Sequence, residues 1–544
     1  MLNPKWLLFN PLKSHWALIF VLWLILTGIN LNKAFHIDDT YHLEAAEHIG
    51  QNPTKPMSIW INWEDSPTVM HRGNNPPLFF YLIYIHQLLF GSGEISLHML
   101  LSIFTFLALF YFFQLSQLLQ VKSPGIILTI FAFCPAFIVN QNIMLDIPIL
   151  ALSLSIMYYL LKGQQLNNTN YYAISATLLS VGMLIKYSLS PLFLVILVTI
   201  LISKNYKKSI VLIIPIIVFI IWSIWNYMDF GNIHLISIIS KPKVESQVNK
   251  LLLYGSKIVG FIGTLGAITT FTAIFIYARI PKKETRFLII FGFIAMIINI
   301  PLVYLNVIEE VIFNRFLNLI FILNGFVLIG LIFYQSLTEF ISKKYAFFRT
   351  PHFVILTYLI TVAGFFLVLA PFNATRHCLL LIPFILLLGH QHFEATKGLI
   401  NNLVVTGSII LGLLLGISDW VYADFYRKNA SKIHYPNKRI WSIGHWGWQW
   451  YSRQAGMITF AKNNESNVHD GDLIVSPHNL DRQRISKEIQ LEPIRFVTES
   501  PTFFTFFSGK DFGSMYSSSY KKPAWSLSNK PIDTLFVFKV KKYN

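Results

Sequence analysis

The chain is built from run after run of uncharged apolar residues, many of them long enough to cross a bilayer at about 1.5 Å of rise per residue. These runs lie near 16–32, 95–121, 124–145, 147–161, 168–185, 187–203, 209–228, 258–278, 287–308, 316–338, 352–375, 377–393 and 398–418. So much apolar helix needs lipid or other helices on every side, which a water-facing globule cannot supply. Only 13% of the 544 residues are charged and 54% are hydrophobic, against about a quarter charged in soluble domains. An ordinary soluble enzyme and a disordered chain are both excluded. The expected fold class is an all-α polytopic membrane protein of about 13 transmembrane helices. Segment 78–91 is apolar too, but it is short, contains His86 and follows Pro76-Pro77. It is taken as an interfacial or re-entrant helix.

The formal net charge is +17. In a membrane protein such an excess belongs to cytoplasmic loops, so no nucleic-acid partner is implied. Lys5 and Lys13 precede the first run and no small-x-small cleavage site follows it, which reads as a retained first span. With a cytoplasmic N-terminus, the cytoplasmic loops carry Lys122, Lys162, Lys204/Lys207/Lys208, Arg279/Lys282/Lys283/Arg286, Lys343/Lys344/Arg349 and Lys397. An odd number of spans then puts the tail outside. Residues 1–419 are expected to form the membrane domain, with a first extracytoplasmic loop over 33–94. Residues 420–544 are expected to form a small extracytoplasmic α/β domain, where Arg, Lys, Asp and Asn return and Leu473–Ser476 and Thr534–Val540 read as strands. Cys134 and Cys378 fit no metal-ligand spacing and imply no disulfide framework.

Four charged places fall at one expected edge of the bundle: Asp38-Asp39 after the first span, Asp146 opening the fourth, Lys186 between the fifth and sixth, and Arg376-His377 before the twelfth. Each has a plain reading. Asp38 or Asp39 can cap the amphipathic stretch Thr40–Ile49, Asp146 can cap its own span, and Lys186 and Arg376 can snorkel to headgroups. Ionisable groups at such places are nonetheless costly, and four on one face favour a shared site. Carboxylates opposite cations in an apolar bundle suit transfer of a group from a lipid-linked phosphate. Lys or Arg neutralises the phosphate leaving group, and one carboxylate serves as base for an acceptor hydroxyl.

These residues resemble the GT-C-fold glycosyltransferases that use polyprenyl-phosphate sugars, namely the protein O-mannosyltransferases and the lipid A aminoarabinose transferases. Asp38-Asp39-Thr40-Tyr41, with Glu44 and Ala45, is similar to the family's Asp-Glu motif. Asn75-Pro76-Pro77-Leu78 is similar to its Lys/His-Pro-Pro-Leu segment. Leu145-Asp146-Ile147-Pro148 resembles the second acidic site, Gly182–Lys186 a Gly-x-x-x-Lys span end, and Arg376–Pro383 an Arg-Tyr-x-Leu-x-x-x-Pro run. Two departures stand out: Asp39 replaces the usual Glu, and Asn75 replaces a basic residue, with His71 and Arg72 as nearby substitutes.

The resemblance implies a glycosyltransferase moving a sugar from a polyprenyl (undecaprenyl-type) phosphate to an acceptor hydroxyl or phosphate on the extracytoplasmic face. Asp38 would be the base, Asp146 its support, and Asp39 a further acid that binds sugar hydroxyls. Lys186, Arg376 and Arg72 would hold the phosphate, and Asn75, His377 and Tyr187 would face acceptor or sugar. No cofactor is expected. Asp38, Asp39 and Asp146 could bind a divalent metal in principle, but the nearer relatives manage without an obligatory one. The partners implied are the lipid-linked donor and a lipid, glycan or protein acceptor, with the chain acting as a monomer. The Lys/Ile/Asn-rich composition is compatible with an AT-rich genome and a bacterial inner membrane. A transporter or flippase of lipid-linked sugars is the alternative. It would show internal repeats and midplane polar groups, and no repeat is visible here. A non-catalytic scaffold would leave the paired charges unexplained.

The tail segment Trp441–Tyr451 is dense in aromatics. It suits either sugar stacking or, the preferred reading, an aromatic girdle or domain core at the bilayer interface.

Overall fold

Apolar runs in this chain become helices wherever no proline or buried amide interrupts them, and the interruptions shape the molecule. The computed structural model describes residues 11–73, 75–240, 250–279, 283–370, 372–396, 398–507, 515–516 and 522–542; Lys282 and Lys397, two of the basic loop residues, lie outside them. In the first part α1 (Pro11–Asn30) leads to α2 (Asp39–Gln51), the short pair β1 (Trp60–Ile61) and β2 (Thr68–Val69), and α3 (Leu78–Phe90). Then follow α4 (Glu94–Leu118), α5 (Pro124–Ala132), α6 (Pro135–Val139), α7 (Asp146–Leu166), α8 (Thr169–Met183), α9 (Pro191–Ile202), α10 (Ile213–Phe230) and α11 (His234–Ile239). The second part holds α12 (Lys250–Ile268), α13 (Thr272–Arg279), α14 (Lys283–Tyr304), α15 (Glu310–Lys343), α16 (Pro351–Leu369), α17 (Thr375–Leu379), α18 (Ile382–Leu388), α19 (His390–Ala395) and α20 (Leu399–Ala430).

Among the described residues, seven helices are long and apolar enough to cross a membrane unbroken. Several of the expected spans are instead divided. Run 124–145 is cut by Pro135 and ends in the irregular stretch 140–145, which is wholly buried. There Asn140 Nδ2 and Gln141 Nε2 donate to the Ala136 and Phe137 carbonyls, at 2.6 and 3.1 Å. These bonds satisfy carbonyls left without helical partners where α6 ends. Run 377–393 divides among α17, α18 and α19, and Pro383 sits in the first turn of α18. Run 398–418 is longer than expected, because α20 continues unbroken to Ala430.

The outward faces are apolar: α10 exposes Ile217, Ile220, Ile221 and Ile224, as lipid-facing helices should. Inside, α12 and α15 approach closely at Gly266, where a Cβ would fall 1.9 Å from the Phe321 carbonyl. Small residues at such crossings let helix backbones touch. The loop ends gather in two sets. At one end Asn205 meets Asn167, Gln164 meets the Arg349 carbonyl, and Lys122 meets Glu394. At the other lie the end of α1, the start of α7, the end of α8 and the turn before α17.

The tail folds onto that second end. It carries β3 (Ile440–Ser442), α21 (Trp446–Gln454), β4 (Ile458–Thr459), β5 (Leu473–Pro477), β6 (Ile489–Thr498) and β7 (Thr534–Lys542). They form a five-stranded sheet in the order β4-β3-β5-β7-β6. The first three strands run parallel, and β7 is antiparallel to both its neighbours. Pro493 sits in the edge strand β6 beside a register shift, where a missing N–H does least harm. One sheet face holds a small core of its own around Trp441, Phe460 and Ile474. Elsewhere the tail joins the core of the membrane part: the Trp525 indole donates to the Ala267 carbonyl at 2.9 Å and packs on Phe321.

Candidate functional site

Charge at the second end is organised in pairs. Between α1 and α2 the chain turns sharply at Ile37, whose φ is +50°. A β-branched side chain in the left-handed region is strained by about 1–3 kcal/mol, and such strain gathers at working sites. The turn sends Asp38 and Asp39 in different directions. Asp38 Oδ2 lies 2.8 Å from Arg376 Nη1. Asp39 is fully buried and accepts from the His36 N–H at 2.8 Å.

Asp146 opens α7 and pairs through Oδ1 with Lys186 Nζ at 2.9 Å. The two pairs are not independent. Arg376 feels both Asp38 and Asp146, and Asp146 feels Lys186, Arg376 and His377. Segments as far apart as 38, 146, 186 and 376 thus meet around one guanidinium. The pairs are unevenly open: the Asp38 side chain keeps 29% of its exposure and Lys186 19%, against 3% for Asp146. Within the two pairs, Arg376 Nε and Asp146 Oδ2 are buried without a hydrogen-bond partner among the described residues.

The other expected site residues divide. His377 is buried against the face of Phe366, with ring centroids 4.6 Å apart, and sits beside Arg376. Tyr187 lies to one side: its hydroxyl accepts from Trp222 Nε1 at 2.9 Å and meets His234 Nδ1 at 2.9 Å. His234 Nε2 reaches the Gly73 carbonyl at 3.1 Å, so that ring nitrogen is the donor and Nδ1 accepts from Tyr187. This relay anchors the loop before Asn75 without touching the pairs. Leu78 N–H donates to the Leu184 carbonyl at 3.2 Å, which ties the Pro-Pro-Leu segment to the span end that carries Lys186. Asn75 is half-buried and its Oδ1 has no partner among the described residues. Arg72 is exposed and forms no ion pair among the described residues.

Several residues at the site gave no signal in the sequence. His42 on α2 is buried, donates from Nδ1 to the Ile143 carbonyl at 2.7 Å, and feels Asp38, Lys186 and Asp146. Burial pushes its imidazole below its ordinary value, which keeps the ring neutral. Behind Asp39 lies a sealed network. Lys33 Nζ pairs with Asp419 Oδ2 at 2.5 Å and donates to the Val139 carbonyl at 3.0 Å. Burial drives the Asp39 carboxyl well above the usual range; the His36 N–H and Lys33 oppose that, while Asp38 and Asp419 add to it. Adjacent Asp38 and Asp39 therefore have different environments, one half-buried and cation-paired, the other enclosed. Among the described residues no group of three or more His, Cys, Asp or Glu side chains is placed to hold a metal ion.

The aromatic tail stretch forms α21, which packs on α2. Thr40 Oγ1 donates to the Trp446 carbonyl at 2.7 Å, Tyr451 accepts from the Phe35 N–H at 2.8 Å, and Gln449 donates to Glu44 at 3.0 Å. A Cβ on Gly447 would fall 2.4 Å from the Phe35 carbonyl. Trp448 is fully buried and Trp450 nearly so, so their faces are core packing.

A helical membrane protein with acid–cation pairs converging at one end is the class these observations define. Residues 74–226 match the family model described as dolichyl-phosphate-mannose-protein mannosyltransferase. That stretch includes Asp146 and Lys186, two of the residues on which the resemblance was drawn. Among solved structures, an Archaeoglobus fulgidus oligosaccharyltransferase in complex with Zn and sulfate is similar at 14% identity and a TM-score of 0.47, over 84% of this chain and 67% of that one. The oligosaccharyltransferase AglB from Archaeoglobus fulgidus, in complex with an inhibitory peptide and a dolichol-phosphate, is similar at 12% identity and a TM-score of 0.46, over 86% of this chain and 70% of that one. ArnT from Cupriavidus metallidurans, bound to undecaprenyl phosphate, is similar at 12% identity and a TM-score of 0.42, over 86% of this chain and 93% of that one. No curated protein sequence matches the chain.

Proposed function

We propose that this protein is an integral-membrane glycosyltransferase that moves a sugar from a polyprenyl phosphate of the undecaprenyl type to an acceptor hydroxyl or phosphate. The convergence of Asp38, Asp146 and Lys186 on Arg376 carries the proposal. In the reaction the bond between the sugar's anomeric carbon and the phosphate oxygen breaks, and a bond to the acceptor oxygen forms. The lipid phosphate leaves with one more negative charge than it had in the donor. Arg376 and Lys186 stabilise that growing charge, an interaction stronger in the transition state than in the bound donor. Arg376 can do so while still holding Asp38, because its Nε is unused.

Asp38, the more exposed acid, takes the acceptor proton. Asp146 holds Lys186 toward the phosphate and supports the base. Asp39, enclosed behind the pairs, steadies the loop that carries Asp38. His377, beside Arg376, faces the sugar; Tyr187 acts from one side by holding the loop before Asn75, and Arg72, exposed to solvent, stands apart from the pairs. The site end faces away from the cytoplasm in an inner membrane, with the basic loops at the other end inside and the tail outside. The chain works as a monomer and without a divalent metal, Asp38 and Asp146 each being matched to a cation of the chain. Chelation with EDTA should therefore leave transfer unchanged; loss restored by Mg²⁺ or Mn²⁺ would remove that part of the proposal.

The decisive test is Asp38→Asn in membranes supplied with a polyprenyl-phosphate sugar and acceptor. Release of polyprenyl phosphate should fall by about 10²- to 10⁴-fold, and a rate near wild type would overturn the assignment. Acceptor-dependent release also separates transferase from flippase, since a flippase leaves its lipid intact.

A further inference from the structure

The last part of the chain reaches into the site from behind. Tyr516 is 4% exposed, and its hydroxyl donates to Asp419 Oδ2 at 2.7 Å while accepting from Asn142 Nδ2 at 2.7 Å. Asp419 is the partner of Lys33, and both lie behind Asp39, which feels Lys33, Asp38 and Asp419 together. The neighbouring Met515 carbonyl accepts from Thr375 twice, from N–H at 3.1 Å and from Oγ1 at 2.6 Å. Thr375 precedes Arg376, and Arg376 also feels Tyr516. On the far side Asn142 stands two residues from Met144, whose sulfur lies 3.9 Å from Arg376 Nη1. Two consecutive tail residues thus touch the supports of both working charges, Asp38's neighbour Asp39 and the phosphate-binding Arg376.

We propose that Tyr516 is a positioning residue of the transfer site: through Asp419 and Lys33 it fixes the acidic loop, and with Met515 it fixes the turn that presents Arg376. The tail is then an integral wall of the site. The physical reason lies in the cost of a buried charge. Asp419 and Lys33 are sealed from water, so each lone pair and proton needs a partner. The hydroxyl of Tyr516 is a charge-assisted donor to Asp419. Without it the carboxylate must turn toward another donor, and Lys33 must follow. Asp38 directly precedes Asp39, and Arg376 directly follows Thr375, which is bonded to the Met515 carbonyl, so a small rotation in the rear network shifts both charges relative to the reacting atoms.

This inference rests on the transferase reading, and the experiment separates the two. Full-length Tyr516→Phe is assayed for donor-dependent transfer at varied donor concentration, alongside its melting temperature. The expected result is a kcat lowered about 10- to 100-fold, with donor KM within about twofold of wild type. A residue that merely anchors the tail would instead lower the folded fraction and leave kcat per folded molecule unchanged; that result overturns the proposal. Asp419→Asn and the double variant complete a cycle, in which the two effects on kcat should be non-additive. Additive effects would overturn the link through Asp419. Should Tyr516→Phe fail to fold, Asn142→Ala weakens the same hydroxyl from its other side, and an unchanged kcat would count against the proposal. If the wild type itself releases no polyprenyl phosphate, the transferase reading falls. Additive melting shifts in the same cycle would then overturn the Tyr516–Asp419 contact as well, whereas non-additive shifts would uphold it.

Discussion

The front and the rear of the site hold charge in opposite ways. In front, Asp38 with Arg376 and Asp146 with Lys186 keep some exposure and unused donors or acceptors. At the rear, Lys33 and Asp419 are almost fully enclosed, with side-chain exposures of 0% and 7%, and are bonded to Val139 and Tyr516. A pair that is partly open can exchange a partner for an arriving phosphate at modest cost. A sealed pair cannot, because breaking it strands a charge in an apolar surrounding. The front is built to be rearranged by a ligand and the rear to stay fixed.

That contrast can be broken experimentally, and Arg376→Ala should have the largest effect. It removes the cation shared by both acids, so transfer should fall by about 10²- to 10³-fold, with weaker binding of polyprenyl phosphate. Arg376→Lys keeps the charge but loses the planar fork, and should recover only part of the rate. Unchanged kinetics in both would take Arg376 out of the site.

The rear should respond in stability. Lys33→Met leaves Asp419 charged and buried, and should cost about 3–5 kcal/mol, seen as a clear fall in melting temperature. Lys33→Met with Asp419→Leu should regain most of that loss, since no charge is stranded. A double variant as unstable as the single one would show that the pair does more than neutralise itself.

The smallest effect concerns the seam between tail and first loop. His445 is buried beside Trp63, faces Gln449, Asn62, Asp65 and Asp481, and is pushed by burial below its usual value near 6.5. The folded ring binds a proton less readily than the unfolded one. Its contribution to stability is therefore fully present above pH 6.5 and is lost as pH falls through the folded value. The melting temperature should decline on acidification below pH 6.5, and His445→Gln should flatten that slope. An unaltered slope would show that other groups govern acid sensitivity.

How much of this was legible in the sequence differs from residue to residue. Asp38, Asp146, Lys186 and Arg376 stood out because a charge beside an apolar run is conspicuous, and they meet. Lys33 and Asp419 directly follow the apolar runs 16–32 and 398–418, where a single charge is ordinary. Nothing in the chain says that they face each other across nearly four hundred residues. His42 and Tyr516 were silent for a related reason. A histidine on an amphipathic helix and a tyrosine in a polar tail have no pattern that distinguishes them until packing encloses them. Arg72 shows the reverse: its charge drew attention, but the loop turns it outward to solvent.

The breaks in the helices follow the same rule. Pro135, Pro191 and Pro383 mark helix starts that local chemistry dictates. That 140–145 could leave the helix at membrane depth depended on surrounding chain to bury it and on side chains such as His42 to bond its carbonyls.

By itself the sequence determined the class of molecule, because hydropathy and backbone hydrogen bonding allow long uncharged runs few states other than helices in lipid. It also determined which charges would be costly and hence in need of partners. Which charge partners which was decided only in three dimensions. Pairing depends on distances between segments remote in the chain, and on the burial that makes one pair exchangeable and another permanent.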